Sequence, residues 1–195
     1  MKRHYDSDAT RKTIAEKAAQ LFSQQGFAGT SISDISRASG FSKGHVYYHF
    51  ENKEKLFVHL AEEGMRAWGE KWASVSAAYD ASAADKLYAI ARFVQHNYKT
   101  PLLKAGQELA ANPSTDPGTL QALYGLAATP MQAYGDLFRQ GIDSGEFEIE
   151  DLQAATYLFG TLLGALCQHV FTMEEEALAH LFRQSVAIFL RGISK

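Results

Sequence analysis

The chain has 195 residues, 19 Lys and Arg against 22 Asp and Glu for a formal net charge of -3, 46% hydrophobic residues, 4 prolines and 1 cysteine. That length and apolar content suffice for a sizeable core in one or two domains, and scarce proline favours helices. The lone Cys167 excludes an internal disulfide and suits a reducing cytoplasm, and no signal peptide is visible.

The charge is unevenly placed. Residues 1–60 carry 9 Lys and Arg against 6 Asp and Glu, a net +3, whereas the remainder carries 10 against 16, a net -6. An N-terminal excess of positive charge is the footprint of a protein that meets a polyanion at one end. Lys2, Arg3 and His4 form a short basic tail, expected to aid solubility more than to reach DNA. From Arg11 to Gly29 the spacing of Ile14, Ala18, Leu21 and Phe22 predicts an amphipathic helix.

The next segment, Thr30 to Lys53, is the most informative. Ser31 followed by Asp34 has the spacing that satisfies free amides at a helix start, and Ile32, Ile35 and Ala38 mark an inward face. Gly40 suits a left-handed helix exit, and Phe41 can plug the corner behind it. Ser42 caps a second short helix in which Val46 and Phe50 point inward, while Lys43, Gly44, His45, Tyr47, Tyr48 and His49 stay outside or at the margin. Two short helices joined this way make a helix-turn-helix, which presents its second helix to a DNA major groove. Lys43, Gly44 and His45 are expected to read bases, and Ser33, Ser42, Tyr47, Tyr48, His49 and Lys53 to face phosphates.

Beyond this motif the chain reads as helix throughout. Asn52 caps a long helix whose stripe Phe57, Leu60, Gly64, Trp68 and Trp72 is expected to continue to Val75 and Tyr79. Leu87, Ile90, Ala91, Val94 and Tyr98 give another stripe, ended at Thr100-Pro101, and a shorter helix follows from Leu102 to Ala111. Asn112 to Gly118 is the clearest loop. The pattern Leu120, Leu123, Tyr124, Ala127, Met131, Tyr134 and Phe138 contains Pro130, where a kink or break is expected, and the Gly141 to Gly145 segment closes it.

Two final helices are expected from Asp151 to about Phe171 and from Glu174 to about Arg191. The first is apolar on nearly every side, and one core stripe cannot absorb Ala154, Tyr157, Leu158, Phe159, Leu162, Leu163, Leu166 and Phe171 together. Gly160 and Gly164 allow close helix approach, so a homodimer through the Asp151 to Arg191 helices is expected, paired as a four-helix bundle. The run from Tyr157 to Phe171 is too short to span a bilayer and is broken by Thr161, Gln168 and His169, so no membrane partner is expected.

The stretch Gly40-Phe41-Ser42-Lys43-Gly44-His45-Val46-Tyr47-Tyr48-His49-Phe50-Glu51-Asn52-Lys53-Glu54-Lys55-Leu56, with Leu21-Phe22 and Gly26-Phe27 before it, resembles the DNA-binding domain of the TetR family of bacterial transcriptional repressors. Ser42-Lys43-Gly44, Trp68, Trp72 and the closing Ile188 to Lys195 further resemble the QacR-like multidrug-sensing members. The resemblance implies an all-α fold: a three-helix helix-turn-helix domain over 1–51, then a larger effector-binding and dimerisation domain over 52–195. It implies repression at a palindromic double-stranded DNA operator, relieved by a small-molecule effector. The aromatic residues Trp68, Trp72, Phe93, Tyr98, Tyr124, Tyr134 and Phe138 lie on the helices where such relatives keep an effector pocket. His96, Gln107, Glu108, Gln132 and His169 are candidate polar anchors. QacR-like members carry a pair of glutamates shortly before the first tryptophan, where this chain has Gly64 and Met65, with Glu62 and Glu63 half a turn earlier. That rotation argues for a neutral or weakly acidic apolar or aromatic effector rather than a cation.

An enzyme reading has little to stand on. No phosphate-cradling glycine loop or Ser/His/Asp arrangement stands out, and Cys167 and His169 diverge on a helix. No metal or cofactor is expected, since His45 and His49 lack an acidic third ligand nearby. A helical adaptor without DNA binding, or an activator of the same fold, are the alternatives.

Overall fold

The computed structural model describes residues 2–193, with side chains from residue 7 onward, so the basic tail Lys2, Arg3 and His4 lies outside the described side chains. Among the described residues there are ten helices and no strand: α1 (Lys2–Gly29), α2 (Ile32–Ser39), α3 (Lys43–Phe50), α4 (Lys53–Ala77), α5 (Ala83–Tyr98), α6 (Leu103–Ala111), α7 (Pro117–Gly125), α8 (Ala128–Asp143), α9 (Leu152–Cys167) and α10 (Glu175–Arg191). None is long and apolar enough to cross a membrane.

The helix ends follow local chemistry. Ser31 and Asp34 form a reciprocal capping box at the start of α2, and Gly40 ends that helix at φ 76°, a conformation that costs a residue without Cβ little. Ser42 caps α3, and the Asn52 side chain accepts from the Lys55 amide at 2.8 Å to begin α4. Pro130 sits in the first turn of α8, where its missing N–H has no intrahelical acceptor to lose. The expected interruption therefore falls just before the proline, between Gly125 and Ala128. Helix α9 is shorter than its apolar run suggests, since it ends at Cys167 and the chain turns through Phe171, whereas α10 has the expected extent.

The chain packs as two compact units, Met1–Met65 with Thr100–Leu126 and Arg66–Lys99 with Ala127–Lys195. This grouping departs from a division after residue 51, because α6 packs on α1 and its Ala105 and Leu109 are buried in the same core as the N-terminal helices. In that first core, Phe22, Phe27 and Phe57 pack ring against ring at 5.3–5.7 Å, tying α1 to α4, while Ile35, Val46 and Phe50 anchor α2 and α3. Ile32 is half-buried but Ala38 is exposed, so the inward face of α2 is narrower than its spacing suggests.

The second unit is built around Leu87, Ile90, Val94, Phe138, Phe159, Leu163, Phe182 and Val186. Trp72 is buried and Trp68 packs against this core, but Val75 and Tyr79 are exposed: the buried stripe ends at Trp72, before the helix itself ends at Ala77. Gly160 lies against Met131 and Tyr134 of α8, where a Cβ would come within 2.4 Å of the Met131 side chain. Gly164, one turn on, has open space before it, so of the two only Gly160 meets a neighbouring helix within the chain.

Candidate DNA-binding surface

The α2–α3 pair holds its second helix by two side chains. Val46 and Phe50 are buried, and everything that α3 carries between them is turned outward or to the margin. Tyr47 is 50% and Tyr48 80% exposed, too much open aromatic surface for a helix whose only task is packing. Lys43, Gly44 and His45 are also exposed. A Cβ at Gly44 would meet only the Ser42 hydroxyl, at an ordinary 3.6 Å, so no neighbour in the chain demands glycine there. Glycine inside a helix costs about 1 kcal/mol relative to alanine, and close approach of another molecule's backbone is a physical reason to bear it.

The imidazole of His45 is oriented from within the motif. Its Nδ1 lies 2.8 Å from the Ser42 hydroxyl, and Phe41 packs against the ring at 5.9 Å. When the hydroxyl donates to Nδ1, the neutral ring carries its proton on Nε2, a donor free for a base edge or a phosphate. Ser42 is thus cap and orienter at once. Ser33, on α2, is half-buried.

Two residues expected to face phosphates make contacts within the chain. Lys53 Nζ donates to the carbonyls of Phe27 and Thr30, both at 2.8 Å, and sits 4.2 Å over the Phe27 ring. Burial holds the ammonium below its ordinary pKa, with Glu54 opposing. Its hydrogen bonds tie α4 to the end of α1. His49 is half-buried and lines a surface groove of about 470 Å³ with Arg11, Phe50, Lys55, His59 and Asp116. Burial lowers its pKa, as do Arg11 and His45, while Asp8 raises it. Arg11 itself lies over the Phe50 ring at 5.1 Å with Nη2 3.5 Å from His59 Nδ1. The Arg11 contacts, invisible in the spacing of α1 alone, brace α3 from behind.

The seven aromatic residues proposed for an effector do not form one group. Trp68, Trp72 and Phe93 meet at 5.2–5.4 Å between ring centroids. Tyr134 and Phe138 each pack edge-on against Phe159, and Phe138 also stacks on Phe189. Tyr98 accepts a hydrogen bond from Gln168 at 3.1 Å. Tyr124 is 69% exposed and belongs to the first compact unit, apart from the other six in the second. A second surface groove of about 530 Å³, between α8 and α9, is lined by residues such as Met131, Arg139, Leu152 and Tyr157 and by none of the seven. Of the polar anchors, His96 and Gln132 are exposed, with His96 Nδ1 2.7 Å from its own helix's Arg92 carbonyl, and Glu108 lies in the first unit.

Comparison with known proteins agrees with this architecture. Residues 14–60 match the model for bacterial regulatory proteins of the tetR family, and residues 64–195 match that for the C-terminal region of QacR-like proteins. The HTH-type transcriptional regulator QacR of Staphylococcus aureus is 25% identical over 179 residues, 91% of this chain and 95% of that protein. The HTH-type negative transcriptional regulator IcaR of Staphylococcus epidermidis is 41% identical over 44 residues, 23% of this chain and 24% of its own. A TetR-family transcriptional regulator from Mesorhizobium loti superposes with a TM-score of 0.82 at 25% identity, covering 97% of this chain and 98% of that one. The chain therefore belongs to the TetR family, as a helix-turn-helix transcriptional regulator with a QacR-like C-terminal region and not as an enzyme.

Proposed function

We propose that this regulator is a cytoplasmic repressor, binding a palindromic operator as a homodimer and released by a small apolar or aromatic effector. Residues 1–51 carry the DNA-reading motif, and the helices beyond residue 51 carry effector and partner. The observation that supports DNA reading best is the face of α3: Lys43, Gly44, His45, Tyr47 and Tyr48 all lie outside, while Val46 and Phe50 fix the helix from beneath. Ser42, Tyr47 and Tyr48 supply donors for phosphates, and Lys43, Gly44 and His45 approach the bases.

Repression is carried over from the negative regulator IcaR, to which the chain is similar. Dimerisation through α9 and α10 is supported by apolar side chains left open on both: Tyr157, Leu158 and Leu162 on one, Leu181 and Ile188 on the other. A neutral or weakly acidic effector is supported at the Trp68, Trp72 and Phe93 cluster, where the charged group over the Phe93 ring is Lys71, at 5.7 Å. Helix α4 is continuous from Lys53 to Ala77, so a ligand that displaces its second half moves the start of the helix that follows α3.

Selection of duplexes from a randomised library by the purified protein tests the reading. Enrichment of an inverted repeat is expected, and His45→Ala should relax preference at one position in each half-site. Uniform loss of affinity for His45→Ala would remove its reading role, and failure to enrich any sequence would remove the operator.

A further inference from the structure

The turn that delivers the chain from α1 into the helix-turn-helix is held from two sides by opposite charges. At Gly26 the helix breaks, with φ 75° and ψ 178°, and the next amides point away from any intrahelical acceptor. The Glu108 carboxylate of α6 takes them: its Oε2 accepts from the Phe27 amide at 2.9 Å and from the Ala28 amide at 3.4 Å. The carbonyls of the same turn, Phe27 and Thr30, are taken by the Lys53 ammonium at the start of α4. An anion on the N–H ends and a cation on the C=O ends matches the peptide dipoles of the turn in both directions. Thr30 is buried and ties its hydroxyl back to the Gly26 carbonyl at 2.8 Å, and Ser31, the cap of α2, follows directly. Glycine is favoured at position 26 because φ is positive, and a Cβ there would lie 2.5–2.6 Å from both Glu108 carboxylate oxygens and push them off the two amides.

Of the helices that supply the two charges, α4 is the one on which the chain leaves the first compact unit, and α6 is the first helix after it returns. The boundary at 65/66 falls within α4, and the chain re-enters the first unit at Thr100, three residues before α6. We infer that Glu108 and Lys53 form a clasp on the Phe27–Thr30 turn that sets the pose of α2 and α3, with Glu108 as a positioning residue for operator recognition. A shift of either helix reaches the reading surface through this turn. The inference rests on the DNA-binding reading above and adds the regulation of that same surface.

The test uses the full-length protein, the best duplex from the library selection and a random duplex of equal length. Glu108→Ala should lower the ratio of selected to random affinity about tenfold, the scale of a positional coupling. Glu108→Gln, which keeps one acceptor oxygen, should lose less, and Glu70→Ala on exposed α4 surface should lose nothing. The salt slope on random duplex should not change, because no phosphate contact is removed. Amide exchange at Phe27 and Ala28 should quicken in both Glu108 variants. A merely structural role would lower Tm yet leave the affinity ratio of the folded protein intact, and that result, or no change in either variant, would overturn the clasp. A wild-type protein that fails to distinguish the two duplexes would instead remove the DNA-binding reading beneath it.

Discussion

At the scale of single residues, the sharpest departure from residue type concerns Lys53. A lysine just after a recognition helix is the sort of charge that meets a phosphate, yet its ammonium bonds two carbonyls of the α1–α2 turn. Lys53→Ala should therefore lower stability by roughly 1–2 kcal/mol through the loss of these two charge-assisted hydrogen bonds while leaving the slope of log affinity against log salt unchanged. Thermal melts and a salt titration on random duplex check this; a slope reduced by about one would return Lys53 to the phosphates. His45 is the converse case. Its type and position suggested base reading, and the Ser42 contact adds what spacing could not show, an orientation for the ring.

At the scale of elements, helix ends are the parts most legible from local sequence, because a cap needs only neighbours three residues apart. Ser31 with Asp34, Ser42, Asn52 and Gly40 all act where their types place them. The start of α5 is different. Ser82 caps it locally, but its Ala83 and Ala84 amides also donate to the Glu146 carboxylate at 3.1 and 3.2 Å, a partner more than sixty residues away. The Ala83 amide chiefly holds Glu146 below its ordinary carboxyl pKa; Ala84, Ser144 and Lys86 add to this and burial opposes it. A depressed folded-state pKa means that the contribution is present above the ordinary carboxyl pKa and fades as pH falls through the lowered one. Glu146→Ala should thus cost about 1 kcal/mol at neutral pH, the usual worth of a helix cap, with the difference from wild type vanishing in acid. Melts at neutral and strongly acidic pH decide it; an undiminished difference in acid would mean that packing, not the charge, is responsible.

At the scale of the whole molecule, the open apolar stripe of α9 and α10 is the feature that the folded chain leaves unresolved. Phe159 and Leu163 fill the core of their own unit, while Tyr157 and Leu158 are 66% and 62% exposed on the opposite side of the same helix. Sedimentation of the 21.5 kDa chain should give twice that mass, and Leu158→Glu should give the monomer with operator affinity sharply reduced. Since Leu158 is largely exposed, its replacement should leave the monomer's helix content intact. A wild-type monomer at micromolar concentration would remove the pairing of these helices.

The sequence by itself determined the all-helical class, the helix-turn-helix from Ser31 to Phe50 and the excess of apolar surface near the C-terminus, because each rests on periodicity or on caps that act within a few residues. Only tertiary structure decided that α6 joins the N-terminal helices, that Lys53 and Glu108 hold one turn between them, and that Tyr124 stands apart from the other six aromatic residues. Those outcomes depend on partners tens of residues distant, and helical spacing specifies which face of an element is apolar but not which neighbour will cover it.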